Sequence, residues 1–317
     1  MGKNTGIEWT DSTWNPIRGC SRVSEGCRNC YAESVAARFS GPGQAYEGLA
    51  EFNVIGEGKP EERVESRWTG AVRLIESHLE DPIRWKAPRK IFVNSMSDLF
   101  HDAVKDDWLV QIFAVMQACP QHTFQVLTKR PERMRDWINE SNRDLVSLAG
   151  EELAGRRGWC HAHEDSNWPL RNVQLGVSIE DQESANHRLP ILAQTSAAVR
   201  IVSYEPALGP VKFETALPKQ EERCSLNWII CGGESGPRAR PMDPEWARSA
   251  RRFCSDYQIP FFFKQWGEWL PYDQLTELAQ DCMSEWVKND AEARAYRMGK
   301  HNAGAILDGV EWKEFPQ

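Results

Sequence analysis

Ile91-Phe92-Val93-Asn94-Ser95-Met96-Ser97-Asp98 is a short, continuous apolar run that breaks abruptly into polar residues. A strand buried on both faces reads this way, with β-branched and aromatic residues in its body and chemistry at its tip. The pattern returns at Phe124-Gln125-Val126-Leu127 running into Thr128-Lys129-Arg130, and at Leu175-Gly176-Val177 running into Ser178-Ile179-Glu180. It returns again at Ile201-Val202-Ser203-Tyr204-Glu205, at Ile229-Ile230-Cys231-Gly232-Gly233-Glu234, and at Phe261-Phe262-Phe263-Lys264-Gln265-Trp266. Strands are therefore expected near residues 90–94, 123–128, 173–177, 200–203, 228–231 and 260–263, with one more at 7–10. Helical periodicity fills 31–39, 106–119, 131–138, 181–192 and 244–257. Such alternation predicts an α/β fold, a partial TIM-like barrel of parallel strands with alternating helices.

Two intervals interrupt the alternation. Residues 40–67 are rich in Gly, Glu and Pro, and residues 139–172 carry mixed charge, so both read as insertions in a barrel spanning 1–268. The second contains Cys160-His161-Ala162-His163, which is either an ordinary surface loop or a metal site needing partners from elsewhere. Residues 269–317 read as a charged, helical appendage.

Composition narrows the class. Nine Cys, an odd number, occur without a signal-peptide pattern, which predicts a reducing cytoplasm and no disulfides. No apolar run approaches the roughly 20 residues that span a bilayer, so no membrane partner is expected. A net charge of −8 argues against a generally basic nucleic-acid surface. The 14 Trp are mostly expected as amphipathic packing at the barrel ends, with Trp266 placed near a ligand.

In α/β barrels the active site forms where the strands end. Asp98, Asp181 and Asp243 there have an ordinary reading as helix caps. Capping does not account for Lys129, Glu205 and Lys264, whose charges close apolar strands and need a partner or a ligand. With Glu234 they are the candidate catalytic groups. The turn Gly232-Gly233-Glu234-Ser235-Gly236-Pro237-Arg238-Ala239-Arg240 pairs glycines, which let backbone N–H groups approach an anion, with two guanidinium forks. Arg238, Arg240 and Trp266 are accordingly the candidate substrate-binding residues.

Cys20-Ser21-Arg22-Val23-Ser24-Glu25-Gly26-Cys27-Arg28-Asn29-Cys30-Tyr31 places three thiols at C-x6-C-x2-C spacing. Iron–sulfur clusters take four cysteines as a rule, so three leave one iron open to a substrate or cofactor. Zinc is the alternative, and it would have to recruit a fourth Cys or His from elsewhere in the chain. No second C-x2-C or H-x3-H follows to complete the usual zinc spacing.

With this loop after a first strand, the chain resembles the radical S-adenosylmethionine (SAM) enzymes. More closely, it resembles a large family of phage and bacterial proteins known for a three-cysteine motif. The matching segments are Ile7-Glu8-Trp9-Thr10-Asp11, Trp14-Asn15-Pro16, Gly19-Cys20, Gly26-Cys27-Arg28-Asn29-Cys30-Tyr31-Ala32-Glu33 and Asn94-Ser95-Met96-Ser97-Asp98-Leu99-Phe100-His101. Others are Leu127-Thr128-Lys129-Arg130-Pro131, Gly176-Val177-Ser178, Glu205-Pro206, Gly232-Gly233-Glu234-Ser235-Gly236 and Lys264-Gln265-Trp266-Gly267. The usual radical SAM loop is C-x3-C-x2-C with an aromatic residue before the last cysteine; here the first gap is six, and Tyr31 stands one residue beyond.

The resemblance implies a [4Fe–4S] cluster on Cys20, Cys27 and Cys30, with SAM at its open iron. SAM would be cleaved to methionine and a 5′-deoxyadenosyl radical that abstracts hydrogen from the substrate. By their position at the strand tips, Asn94, Ser95, Ser97 and Asp98 are candidates for SAM's amino group, Lys129 or Arg130 for its carboxylate, and Ser178 with Glu180 for its ribose. Tyr31 would provide aromatic packing. The implied partners are an electron donor such as flavodoxin or ferredoxin, a nucleobase, nucleotide or DNA-related substrate, and a partner protein that delivers it. The rival reading is a non-radical iron–sulfur or zinc module with a structural or electron-transfer role.

Overall fold

A computed structural model describes residues 5–56, 62–140, 142–156, 168–275 and 295–316. Seven strands form one sheet in chain order: β1 (Ser12–Trp14), β2 (Lys90–Val93), β3 (Thr123–Thr128), β4 (Val173–Ile179), β5 (Val199–Tyr204), β6 (Trp228–Gly232) and β7 (Phe261–Gln265). Neighbours pair in parallel at β1/β2, β2/β3, β5/β6 and β6/β7. The connections carry helices α1 (Tyr31–Arg38), α2 (Asp106–Gln117), α3 (Pro131–Asn139), α4 (Arg143–Arg156), α5 (Gln182–Gln194) and α6 (Pro244–Asp256). This is an α/β fold with the strand order of a half-barrel, β1 and β7 being the outer strands.

Six strands lie where the apolar runs put them. The first does not: residues 7–10 turn, and the ladder begins at Ser12, which lies opposite Ile91. Side chains hold the preceding segment instead. Thr10 Oγ1 donates to the Lys90 carbonyl (3.0 Å), and the Trp9 ring leans on Phe92 at 4.7 Å.

The described chain divides into two compact units, Met1–Gly176 with Gln194–Ala198, and Val177–Ala193 with Val199–Gln317. In the first, register puts Trp14, Val93 and Val126 side by side, with Ile91 beside Phe124 on the same face. All five are inaccessible to solvent, as are Leu109 and Ile112 of α2. Burying each such side chain stabilises by about 1.5 to 3 kcal/mol. The interval 40–67 contains the first strand of an antiparallel hairpin, Ala50–Ile55 against Arg63–Trp68. Its Ala50 and Trp68 pack with Ala36, Ala37, Tyr46 and Leu49, which seats the hairpin on α1. The interval 139–172 contributes α4, and Cys160-His161-Ala162-His163 lies outside the described residues.

In the second unit, Val202, Ile229 and Phe261 are in register, as are Tyr204, Cys231 and Phe263. Asp243 caps α6 by accepting from Glu245 N (2.8 Å), and Asp181 accepts from Ser184 N (2.9 Å), so the capping reading of both aspartates applies. Where it is described, the stretch expected as a helical appendage carries short strands beside the short helical segments Tyr272–Gln274 and Lys300–Ala303. Trp269–Pro271 pairs with Ala295–Arg297, and Ile306–Leu307 with Val310–Glu311. It also contacts the sheet: Lys313 pairs antiparallel with Phe262, Phe263 N donates to Trp312 O (2.9 Å), and Phe315 packs on Trp228 and Phe262. The final residues thereby cover the hydrogen-bonding edge that β7 would otherwise leave open.

Candidate functional site

The cysteine loop is built against the tip of β2. Gly19 forms a bridge to Ser97, at a φ of +95°. A Cβ there would overlap the Ala71 carbonyl oxygen, so only glycine lets the chain enter the loop at this point. Ser97 Oγ donates to Ile17 O (2.9 Å), and Asn15 Oδ1 accepts from Met96 N (3.0 Å) and Ser95 Oγ (3.3 Å). At the far end of the loop Tyr31 Oη donates to Ser95 O (2.7 Å) while most of its ring stays exposed. Buried Glu33 takes Arg22 Nε (3.1 Å) and Trp68 N (2.9 Å), tying loop, helix and hairpin together. Gly19→Ala should cost about 1 to 3 kcal/mol of stability, visible as a lower melting temperature of the metal-free protein; an unchanged melt would show that the entry tolerates a side chain.

The three thiols are free and half-buried. Burial, then Asp98, pushes the Cys20 thiol up to about 12, with Arg130 acting the other way. Burial also raises Cys30, opposed by the Glu33 and Ala32 N–H groups that open α1. Cys27 Sγ accepts from Val23 N at 3.5 Å. Among the described residues no three Cys, His, Asp or Glu side chains are gathered into a set ready to hold a metal ion. The donor chemistry nonetheless fits a thiolate-bound group: three soft ligands on one loop, two receiving N–H groups and the third beside a guanidinium.

These shifts set a pH dependence. A thiol whose folded value lies above its ordinary 9.0 contributes stability that is complete below pH 9 and lost as pH rises toward the folded value. Buried Cys119, likewise raised to about 12, adds to the same window. The metal-free protein should therefore lose melting temperature between pH 9 and 12, in a series of thermal melts; a flat profile there would contradict these burials.

Next to the loop lies a polar network that links the tips of β2 and β3. Asp98 is buried and accepts from Thr128 Oγ1 (2.7 Å) and Phe100 N (3.0 Å) on one oxygen, and from Lys129 N (3.2 Å) and Arg130 Nη1 (2.9 Å) on the other. Both oxygens expected for SAM's amino group are thus engaged by the chain. Arg130, expected at the carboxylate, is turned to Asp98 and to Ser21. Asn94 differs. It is buried at a φ of +58°, its Oδ1 accepts from Ile17 N (3.5 Å), and its Nδ2 has no hydrogen-bond partner.

The second unit carries the other expected residues. Glu180 and Arg188 form a buried pair (2.9 Å), with Arg188 also donating to the Ser178 carbonyl (2.6 Å), so the carboxylate expected at the ribose is held by an arginine of α5. Lys264 Nζ meets Glu205 Oε1 at 2.6 Å, each about one-sixth exposed, at the ends of β7 and β5 beside Gly232. Buried Glu234 is gripped by Arg240, through its backbone N (2.8 Å), Nε (3.0 Å) and Nη2 (2.8 Å). Arg240 therefore braces its own turn, whereas Arg238 is exposed.

Two expectations change. Gly233 does not cradle an anion: its N–H donates to Gln265 O (2.8 Å), and the space of a Cβ is filled by the Trp266 carbonyl. The glycine lets two strand ends cross. Trp266 is no stacking platform, because its ring is wholly buried against Phe263 and its Nε1 donates to Ile306 O (2.8 Å). The loop network contains two further residues that no motif marked for a role, Ser21 and His101. Their signal was adjacency, one directly after Cys20 and the other three residues beyond Asp98.

No curated protein and no solved structure matches the chain. One family model, described as a protein of unknown function (DUF5131), matches residues 4–316. Since that match covers nearly the whole chain, this protein belongs to the DUF5131 family.

Proposed function

We propose that the chain is a radical SAM enzyme acting on a nucleobase, nucleotide or DNA-related substrate. The observation that carries the reading is the loop of three free thiols, Cys20, Cys27 and Cys30, anchored to the polar tip of β2 through Tyr31 and Ser97. These cysteines would hold a [4Fe–4S] cluster, which supplies the electron that cleaves SAM when bound.

The chain's own groups do the rest. Each thiol gives up a proton before it binds iron, and the Arg130 charge beside Cys20 favours that loss. The unpartnered Asn94 Nδ2 is a donor, which suits the carboxylate of SAM rather than its amino group. In the second unit, Glu205 and Lys264 form an ion pair at the strand ends, and exposed Arg238 offers a fork to an anionic substrate group. With a net charge of −8, a nucleotide-sized substrate is favoured over a tightly held duplex. The reading requires an electron donor such as flavodoxin or ferredoxin.

Anaerobic purification with iron and sulfide supplied separates this from a structural zinc module. A brown protein with broad visible absorbance supports the cluster. A colourless protein carrying one equivalent of zinc would end the proposal.

A further inference from the structure

Cys20 is the loop cysteine with the least support from its own segment. Its Sγ points to the Ser21 carbonyl at 3.5 Å, and no backbone N–H to it accompanies those at Cys27 and Cys30 among the described contacts. Support arrives one residue later and from another strand. Arg130 Nη2 donates to the Ser21 carbonyl (3.2 Å) and to Ser21 Oγ (2.7 Å), while its Nη1 is fixed on Asp98 (2.9 Å). His101 Nε2 lies 2.9 Å from the same Ser21 Oγ. Because His101 Nδ1 accepts from Ala103 N (3.1 Å), the ring proton sits on Nε2 and is donated to Ser21. Ser21 Oγ thus accepts from two sides, and Asp98 holds the arginine from behind.

We infer that Arg130 and His101 are positioning residues that clamp Ser21 and so present Cys20, together with Cys27 and Cys30, to a bound metal. The clamp suits a change of state at the thiol. When Cys20 binds a metal and releases its proton to solvent, its contact with the Ser21 carbonyl goes, yet that carbonyl keeps the Arg130 donor. Burial, then the Arg130 charge, also lowers the His101 pKa, which suits a ring that donates from Nε2 to Ser21. Partners of this kind, one step removed from a ligand, commonly change metal affinity 10- to 100-fold when removed. The inference rests on the loop being a metal site, and its test is arranged to separate the two.

Full-length wild type, Arg130→Ala, Arg130→Lys and Ser21→Ala would be compared, the last keeping the carbonyl while removing the shared hydroxyl. Amide hydrogen exchange on the metal-free proteins reads the loop directly. Residues 20–30 should exchange faster in Arg130→Ala and Ser21→Ala, with β3 unchanged. Titration with Co2+, followed by its thiolate charge-transfer band, should show affinity falling about tenfold or more in those two variants, with Arg130→Lys in between. Unchanged exchange, or a loosened loop with wild-type Co2+ affinity and band, overturns the inference. If wild type itself gives no thiolate band while the loop loosens in the variants, the metal reading falls and the clamp on the loop stands. Should Arg130→Ala fail to fold, Ser21→Ala decides by the same criteria.

Discussion

Replacing Cys20, Cys27 or Cys30 by Ala, one at a time, should abolish iron binding and SAM cleavage altogether, since a three-cysteine site has no spare ligand. The same change at Cys119, Cys224 or Cys254 should do neither. Cys119 and Cys254 are buried, with burial pushing both thiols up, so they behave as small hydrophobes. Cys224 is exposed at the end of a short helix. Cys231 is the informative control. It is fully buried, with burial and then Glu205 raising its thiol, and it lies in the core of β6 opposite Phe263. Iron content and SAM cleavage measured across the seven variants check the claim. Retained iron in any single loop variant, or its loss in Cys231→Ala with the fold intact, would require a different ligand set.

Trp266→Ala should lower stability by about 3 to 5 kcal/mol, because it removes a wholly buried indole from beside Phe263. It also strands the Ile306 carbonyl, which now accepts the indole N–H at 2.8 Å, and so loosens the hairpin Ile306–Leu307 with Val310–Glu311. Trp266→Phe should lose about 1 kcal/mol, the hydrogen bond with only part of the volume. Chemical denaturation of the metal-free proteins measures both. A Trp266→Ala protein of wild-type stability that failed only in substrate turnover would restore the residue to a ligand site.

The strand runs were legible because burial on both faces demands unbroken apolar residues, and polar tips follow wherever a buried strand ends. That signal placed β2 to β7 within two residues at each end and missed β1. Ile7 and Trp9 look like strand residues, but Trp9 packs through its ring on Phe92 while Ser12–Trp14 take the ladder. The same ambiguity hid Trp266: Lys264-Gln265-Trp266-Gly267 reads alike whether the indole faces a ligand or the core, and only the later residues 304–306 decide it. Charged tips were found as positions rather than as partners. Glu205 meeting Lys264, 59 residues away, and Arg130 meeting Ser21, 109 away, are pairings that no local pattern encodes.

As proposed, the loop of residues 20–30 holds a cluster that binds and cleaves SAM. Low-temperature electron paramagnetic resonance of the anaerobically reconstituted, reduced protein, with and without SAM, tests it most directly. A reduced-cluster signal is expected that changes when SAM is added and is absent from the Cys27→Ala protein. A signal indifferent to SAM, or none from a protein that carries only zinc, would contradict it.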